Sequence, residues 1–330
     1  MNNGLQRFQY YLEQLGSLLD QARKESDPAT WLFKNNARTQ FFMLEGLAKL
    51  YAGLHDHESF KKLNDWFKKA EDGFGKMDHY EAVYSSMSAN EKIPAEHTHY
   101  FLSMLEESTA KMNEMLEDED WISSNRKRIN KINDRLTEMN WLSPSEEAES
   151  IVKFYAKAIQ SIGAFLEEKK GDFKDIEHDV HEFRRKLRWL SIYAQALQGV
   201  VQFDPIEKAT EIHKKYLTDA IVKSPFNKLP SLGDCEVWVT VDKPSFLALS
   251  WTIAELGAIK DDGLMLTALC EAIQYHTGGS INEALIEAYS TLGDTQTRME
   301  VILQQAEVVS HTFYEEKHLE HLITGTSHRE

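Results

Sequence analysis

Phe183, Leu187, Leu190, Ala194, Leu197 and Val201 recur at spacings of three and four. At about 100° of rotation per residue they fall on one stripe. Only a helix buried along one side satisfies that pattern, and the spacing predicts a helix over residues 179–203. His181, Arg184 and Arg188 lie within about 60° of one another on the shoulder of the stripe, and Arg185 widens the same arc. Side chains at such a shoulder pack their stems and leave their heads free. Guanidinium groups donate forked, charge-assisted hydrogen bonds that suit phosphate oxygens, and a histidine beside them adds a donor. The plain alternative is a solvated flank that pairs with the surplus carboxylates.

Helix ends are marked along most of the chain, which predicts an all-α fold. Helices are expected over residues 5–23, 28–54, 59–84, 95–116, 121–141 and 144–168, then over the 179–203 segment. Asp27-Pro28 supplies a cap followed by proline in the first turn, and Ser143-Pro144-Ser145-Glu146 supplies a capping box. Gly73 and Gly75 are expected to loosen or kink the third helix. Lys169-Lys170-Gly171-Asp172 reads as a turn, and Asp204-Pro205 as the start of a helix ending near Lys223. Residues 224–243 form the one irregular insertion, with a strand-like run, Val237-Trp238-Val239-Thr240-Val241, that alone does not call for a sheet. Helices resume over 244–275, 280–292 and 295–323, and residues 324–330 are expected to fray.

Composition narrows the function classes. Two cysteines, Cys235 and Cys270, make no disulfide framework, residues 1–10 lack a basic-then-apolar leader, and no apolar run is long enough for a bilayer. A cytoplasmic protein with no membrane partner is therefore expected. A net charge of −16 argues against generic nucleic-acid binding. It leaves room for a local anion site, since surface fields fade within about 8 Å at physiological salt.

Other constellations carry less chemistry. Arg128, Lys131 and Arg135 repeat the i, i+3, i+7 spacing and are candidates to continue a basic groove. Glu96 with His99, and Glu315 with His318, have the spacing of di-iron bundle ligands but lack the further core-facing glutamates such sites need. His55-Asp56 has the look of a metal phosphohydrolase pair without partner ligands at diagnostic spacing, and it sits at a helix end. Glu177, His178, His181 and Glu182 crowd together, but beside arginines that disfavour a cation. No metal, cofactor or catalytic residue is assigned, and an enzyme is the less favoured expectation.

The chain also repeats itself. Phe33 and Arg38 fall beneath Phe183 and Arg188 when Trp31 is set beneath His181, with Lys34 under Arg184 and Leu47 under Leu197. Upstream, Tyr10-Tyr11 falls under Phe154-Tyr155; downstream, Phe74-Gly75 resembles Leu256-Gly257. One duplication predicts two related helical halves, residues 1–143 and 144–330.

Val180, His181, Arg184 and Arg188 on one helix, with Leu256, Gly257, Lys260 and Asp261 on a later one, resemble the signatures of the conserved-histidine α-helical domain family, CHAD. The resemblance spans nearly the whole chain through short motifs. It implies two pseudo-symmetric four-helix bundles packed as one unit and the binding of inorganic polyphosphate along a basic surface. Trp31 and Lys34 stand where the family has histidine and arginine, Asp78-His79 replaces its basic–acid pair, and the chain is acidic where most members are basic. The expectation is non-catalytic binding of polyphosphate or another phosphate-rich anion at a groove lined by His181, Arg184, Arg185 and Arg188, with Lys34 and Arg38 opposite and Lys260 beside them. An acidic helical scaffold for a protein partner is the alternative, and a metal-dependent phosphohydrolase the third reading.

Overall fold

Asn3 opens the first helix by accepting a hydrogen bond from the Gln6 amide at 3.1 Å. In this computed structural model, residues 3–55, 57–169, 172–206, 209–293 and 298–329 are described. Their elements are α1 (Gly4–Ala22), α2 (Pro28–Lys34), α3 (Ala37–Leu54), α4 (His57–Ser88), α5 (Ala95–Asp118), α6 (Lys127–Thr137) and α7 (Pro144–Lys169). A π-helical turn (Ile176–His181) then leads into α8 (Glu182–Ala196), followed by β1 (Val201–Phe203) and α9 (Asp219–Val222). Strand β2 (Val237–Val241), α10 (Lys243–Thr277), α11 (Ile281–Leu292), α12 (Met299–Glu315) and β3 (Ile323–His328) complete the chain. The fold is overwhelmingly helical, with one small sheet.

One buried cluster runs from Phe8 to Leu322 and draws on nearly every element. Phe8, Phe41, Phe60, Phe67 and Phe183 are wholly buried, each worth about 1.5–3 kcal/mol of transfer from water. A satellite cluster around Phe101, Leu269 and Ala288 joins the ends of α4 and α5 to α10 and α11. Helix α3 packs against α1 and α4, α8 packs against α7 and α10, and α3 and α8 pack against each other.

Several expectations are corrected. The helix expected over 179–203 is shorter. Its first turn is π-helical, and Gln198 (φ 48°) with Gly199 (φ 96°) ends it before Val201–Phe203 turns extended. Leu197 and Val201 are buried as the stripe requires, because both a helix and the strand that follows can face one core. The helix expected over 28–54 breaks at Asn36, which is left-handed at φ 56°. The segment expected as helix over 121–141 shrinks to α6, because Asp120 and Arg126 adopt positive φ and Trp121 is buried in the intervening turn. Helix α4 runs unbroken past Gly73 and Gly75. A Cβ there would come within 2.6 Å of Met112 Sδ and 2.9 Å of Arg38 Nη2 respectively, so the glycines serve close packing.

The segment after Asp204-Pro205 is mostly irregular, holding a 3₁₀ turn (Glu211–Lys215) and short α9. The Asp204 amide donates to the Val241 carbonyl at 2.8 Å, extending the ladder instead of starting a helix. The run Val237–Val241 is the central strand of a sheet ordered β1-β2-β3, parallel to β1 and antiparallel to β3. The segment expected to fray is thus strand β3, with Ser327 opposite Trp238. Helix α12 stops at Glu315, with Lys317 at φ 61° just beyond it. Lys170, Gly171 and Thr295 lie outside the described residues.

Candidate functional site

The π-helical turn sets the start of α8. Asp175 accepts from the Glu177 and His178 amides, while Asp179 accepts from the Lys174 and Asp175 amides and pairs with Lys169 at 2.6 Å. This fixes the direction in which His181 and the first turns of α8 leave the bundle. The arc of cations then faces α3 and α4 across a cleft of about 440 Å³. Of the anticipated residues, Arg38, His181, Arg184, Arg185 and Arg188 line it. Lys68, Lys76 and His79, from α4, join them. Among the described residues the lining carries six lysines and arginines against Glu45, Glu71 and Asp72, and Asp78 and Glu182 pair with two of the arginines, which leaves a small cationic surplus in an acidic chain.

The arginines are held differently. Arg184 donates through Nε to the Ile253 carbonyl at 2.9 Å and lies against Gly257, where a Cβ would meet its Nε at 3.1 Å. Arg38 lies against Gly75 and pairs with Glu71 at 2.8 Å and Asp78 at 2.6 Å. Arg185 pairs with Glu182 at 2.6 Å. Arg188 has neither a side-chain hydrogen bond nor an ion pair among the described residues; its guanidinium sits 4.5 Å above the Phe42 ring. Burial, with Arg184 and Arg38 nearby, brings its pKa down to about 10, so it remains a cation at neutral pH. It is a half-buried charge that Glu71 and Asp78 act on without forming an ion pair with it among the described residues.

The histidines stay closer to neutral. Burial lowers the pKa of His181 despite Glu177, with Lys260, Arg184 and Arg185 pushing the same way. His181 Nδ1 is buried and lacks a hydrogen-bond partner among the described residues. His79 is likewise lowered by burial, against the pull of Glu177 and Glu271. At the other end of the cleft, Phe42 and Trp189 stack with centroids 5.0 Å apart. Glu45 is 3% exposed beside them, and burial drives its pKa up to about 7.

Other anticipated cations lie elsewhere. Lys34 is exposed at the end of α2 and does not line the cleft. Lys260 sits at its margin, felt by His181 and His79 but paired with Asp261 at 2.6 Å. Arg128 is buried, donates to the Glu119 carbonyl at 2.6 Å and stacks 4.6 Å from the Trp66 ring. Lys131 and Arg135 crowd the same ring and line a separate depression. The basic spacing of α6 is thus gathered around one tryptophan instead of continuing the groove.

The metal constellations do not assemble: among the described residues, no three of His, Cys, Asp or Glu gather as a metal site. His318 pairs with Glu316 at 3.1 Å, His178 with Asp175, and Glu182 with Arg185. His55 bonds the Asn140 carbonyl, and Asp56 lies outside the described residues. Also among the described residues, no helix is long and apolar enough to cross a membrane.

Sequence reasoning missed Lys68, Lys76, His79 and Glu45 as cleft residues. Lys68, Asp72, Lys76 and His79 follow one another at i, i+4, i+8 and i+11, a single helix face, and that spacing was the available signal. Comparison with family models, with curated proteins and with solved structures finds no match for this chain.

Proposed function

We propose that this protein binds a phosphate-rich anion, with inorganic polyphosphate as the first candidate, in the cleft between α3, α4 and α8. The observation that carries the reading is Arg188: a half-buried guanidinium without an ion-pair partner among the described residues, flanked by Arg184 and Arg38 in one concavity. Keeping like charges together and partly desolvated is costly, and an anion that bridges them removes that cost. The same reading takes the chain as a divergent, acidic relative of the CHAD architecture, with α1 to α4 related to α7, α8 and α10. Its support is that Arg38 rests on Gly75 of α4 as Arg184 rests on Gly257 of α10. This pairing is one helical turn away from the alignment of Arg38 with Arg188.

Calorimetric titration with polyphosphate at low salt tests the proposal. Binding is expected, weakening steeply as salt rises, and the Arg184→Ala/Arg188→Ala variant is expected to lose it. Failure of the unmutated protein to bind at low salt ends the reading.

A second reading, an interaction scaffold, draws on Tyr275, Ile281 and Ile286, which are 69%, 62% and 72% exposed around the end of α10 and on α11. Co-purification separates the two: a stoichiometric protein favours the scaffold, a co-eluting phosphate polymer the anion site.

A further inference from the structure

The cationic cleft has two unlike ends, and this bears on the ligand. Along α8 the lining passes from His181, Arg184, Arg185 and Arg188 to Trp189 and Ile192; along α3 it passes from Arg38 to Phe42 and Glu45. Each series spans seven to eleven residues, about 10–16 Å of helix. Gly46 keeps the far end tight, since a Cβ there would meet Ile192 Cγ2 at 3.0 Å.

Glu45 is the anomaly at that end. Its side chain is almost wholly buried, it lines the cleft, and its Oε2 has no hydrogen-bond partner among the described residues. Lys49, the nearest cation on its own helix, places its ammonium over the Trp189 ring at 4.2 Å, and no ion pair joins it to Glu45 among the described residues. A buried acceptor left open costs free energy unless something fills it. Burial raises the pKa of Glu45, outweighing the opposing pull of Lys49 and Lys68. Above that raised pKa the ionised carboxylate is poorly answered by inorganic phosphate oxygens, which are also acceptors and carry like charge.

The basic lining is also confined to this one cleft, with Lys68 reaching the Glu45 end. Lys131 and Arg135 line a different depression, which shares no lining residue with the cleft. A long polyanion would be served by a basic track continuing beyond a single concavity. This one closes in aromatic and aliphatic side chains, with a volume typical of small-molecule sites.

We infer that the cleft is built for a small organic phosphate, its phosphates held by Arg38, Arg184 and Arg188 and its organic end, bearing a hydroxyl or amino hydrogen-bond donor, seated on Glu45 between Phe42, Trp189 and Ile192. The inference rests on the anion reading above and narrows it.

The test compares two probes of similar charge on the full chain at low salt and about pH 8.5, where Glu45 is ionised, inorganic tripolyphosphate and ATP. ATP is expected to bind about tenfold more tightly, the scale of one well-placed hydrogen bond in a desolvated site. Glu45→Met is expected to erase that advantage without weakening tripolyphosphate, since it removes a like charge from the cleft. Tripolyphosphate binding as tightly as ATP, or an ATP advantage that survives Glu45→Met, overturns the inference and leaves the anion reading standing. Binding of neither probe overturns both. The comparison in the unmutated protein needs no variant, so it decides even if Glu45→Met does not fold.

Discussion

The Arg7 guanidinium meets the Glu147 carboxylate at 2.8 Å, with 1% and 3% of the two side chains exposed. Arg7 also donates to the Tyr51 hydroxyl, which in turn donates to Glu147. The triad ties α1, α3 and α7 together. Removing one member of such a pair strands a charge in the core, whereas replacing the set with apolar groups does not. Glu147→Leu is therefore expected to cost about 3–5 kcal/mol in urea unfolding, and Arg7→Met/Tyr51→Phe/Glu147→Leu to recover most of it. An equal loss in both variants would show that the charges themselves stabilise the joint.

Glu45 gives stability a pH dependence of definite sign. Its carboxyl ionises near 4.5 in the unfolded chain and near 7 when folded. Between those values the folded state binds more protons than the unfolded one, so stability falls as pH rises through the window. Glu45→Gln removes the titration. Its stability relative to the unmutated protein is expected to rise by about 2 kcal/mol between pH 5 and pH 8, read by chemical denaturation at the two pH values. A difference that stays constant with pH would mean that Glu45 is ionised in the fold.

The two clusters of cations are expected to behave differently toward polyphosphate. Arg188→Ala removes an unpaired charge from the cleft and is expected to weaken binding about ten- to hundredfold at low salt, the range of a charge-assisted hydrogen bond. Lys131→Ala, at the Trp66 face of α6, is expected to change it by less than about twofold, since Lys131 lines a separate depression and not the cleft. The slope of log affinity against log salt should fall for the first variant only. Equal effects would place the binding surface on both faces.

Glycine positions offer a gentler probe of the same arginines. A Cβ at Gly257 would stand 3.1 Å from Arg184 Nε, and one at Gly75 would stand 2.9 Å from Arg38 Nη2. In both cases the obstructed atom is the head of a flexible side chain. Alanine also favours a helix over glycine by up to about 1 kcal/mol. Gly257→Ala is accordingly expected to leave thermal stability within about 1 kcal/mol while displacing the Arg184 head and weakening anion binding several-fold. Loss of stability without loss of binding would make the Arg184 contact structural only.

How much of this was legible beforehand depends on what each feature needs. Helices with a cap and a stripe, such as α1, α7 and α11, were readable because their signals are local. The cation arc of α8 was readable for the same reason, and Arg38 through the internal repeat. The breaks at Asn36 and Gln198 were not, because non-glycine residues at positive φ carry no strong local mark. Nor was the sheet: β1 has three residues and pairs with a strand some forty residues away, a non-local contact that composition cannot show. Glu45 looked like an ordinary helix carboxylate, and only its 3% exposure in the folded chain reveals it as buried.

The carboxyl-terminal strand supplies the last test, since fraying and pairing make opposite demands on it. Strand β3 covers one side of β2 with Thr326 opposite Val239 and Gly325 opposite Thr240, and Thr324 donates to the Thr240 hydroxyl at 2.8 Å. Val239 and Val241 are buried beneath this sheet, and α7 packs against both β2 and β3. Truncation after Leu322 would strip β2 of its antiparallel partner and open that core to water. With backbone hydrogen bonds worth about 1 kcal/mol each, the expected loss is on the order of 3–5 kcal/mol. It should appear in urea as a lower midpoint for the whole transition, because β2 runs directly into the cap of α10 at Asp242. A midpoint unchanged by the truncation would mean that the segment is a frayed tail after all.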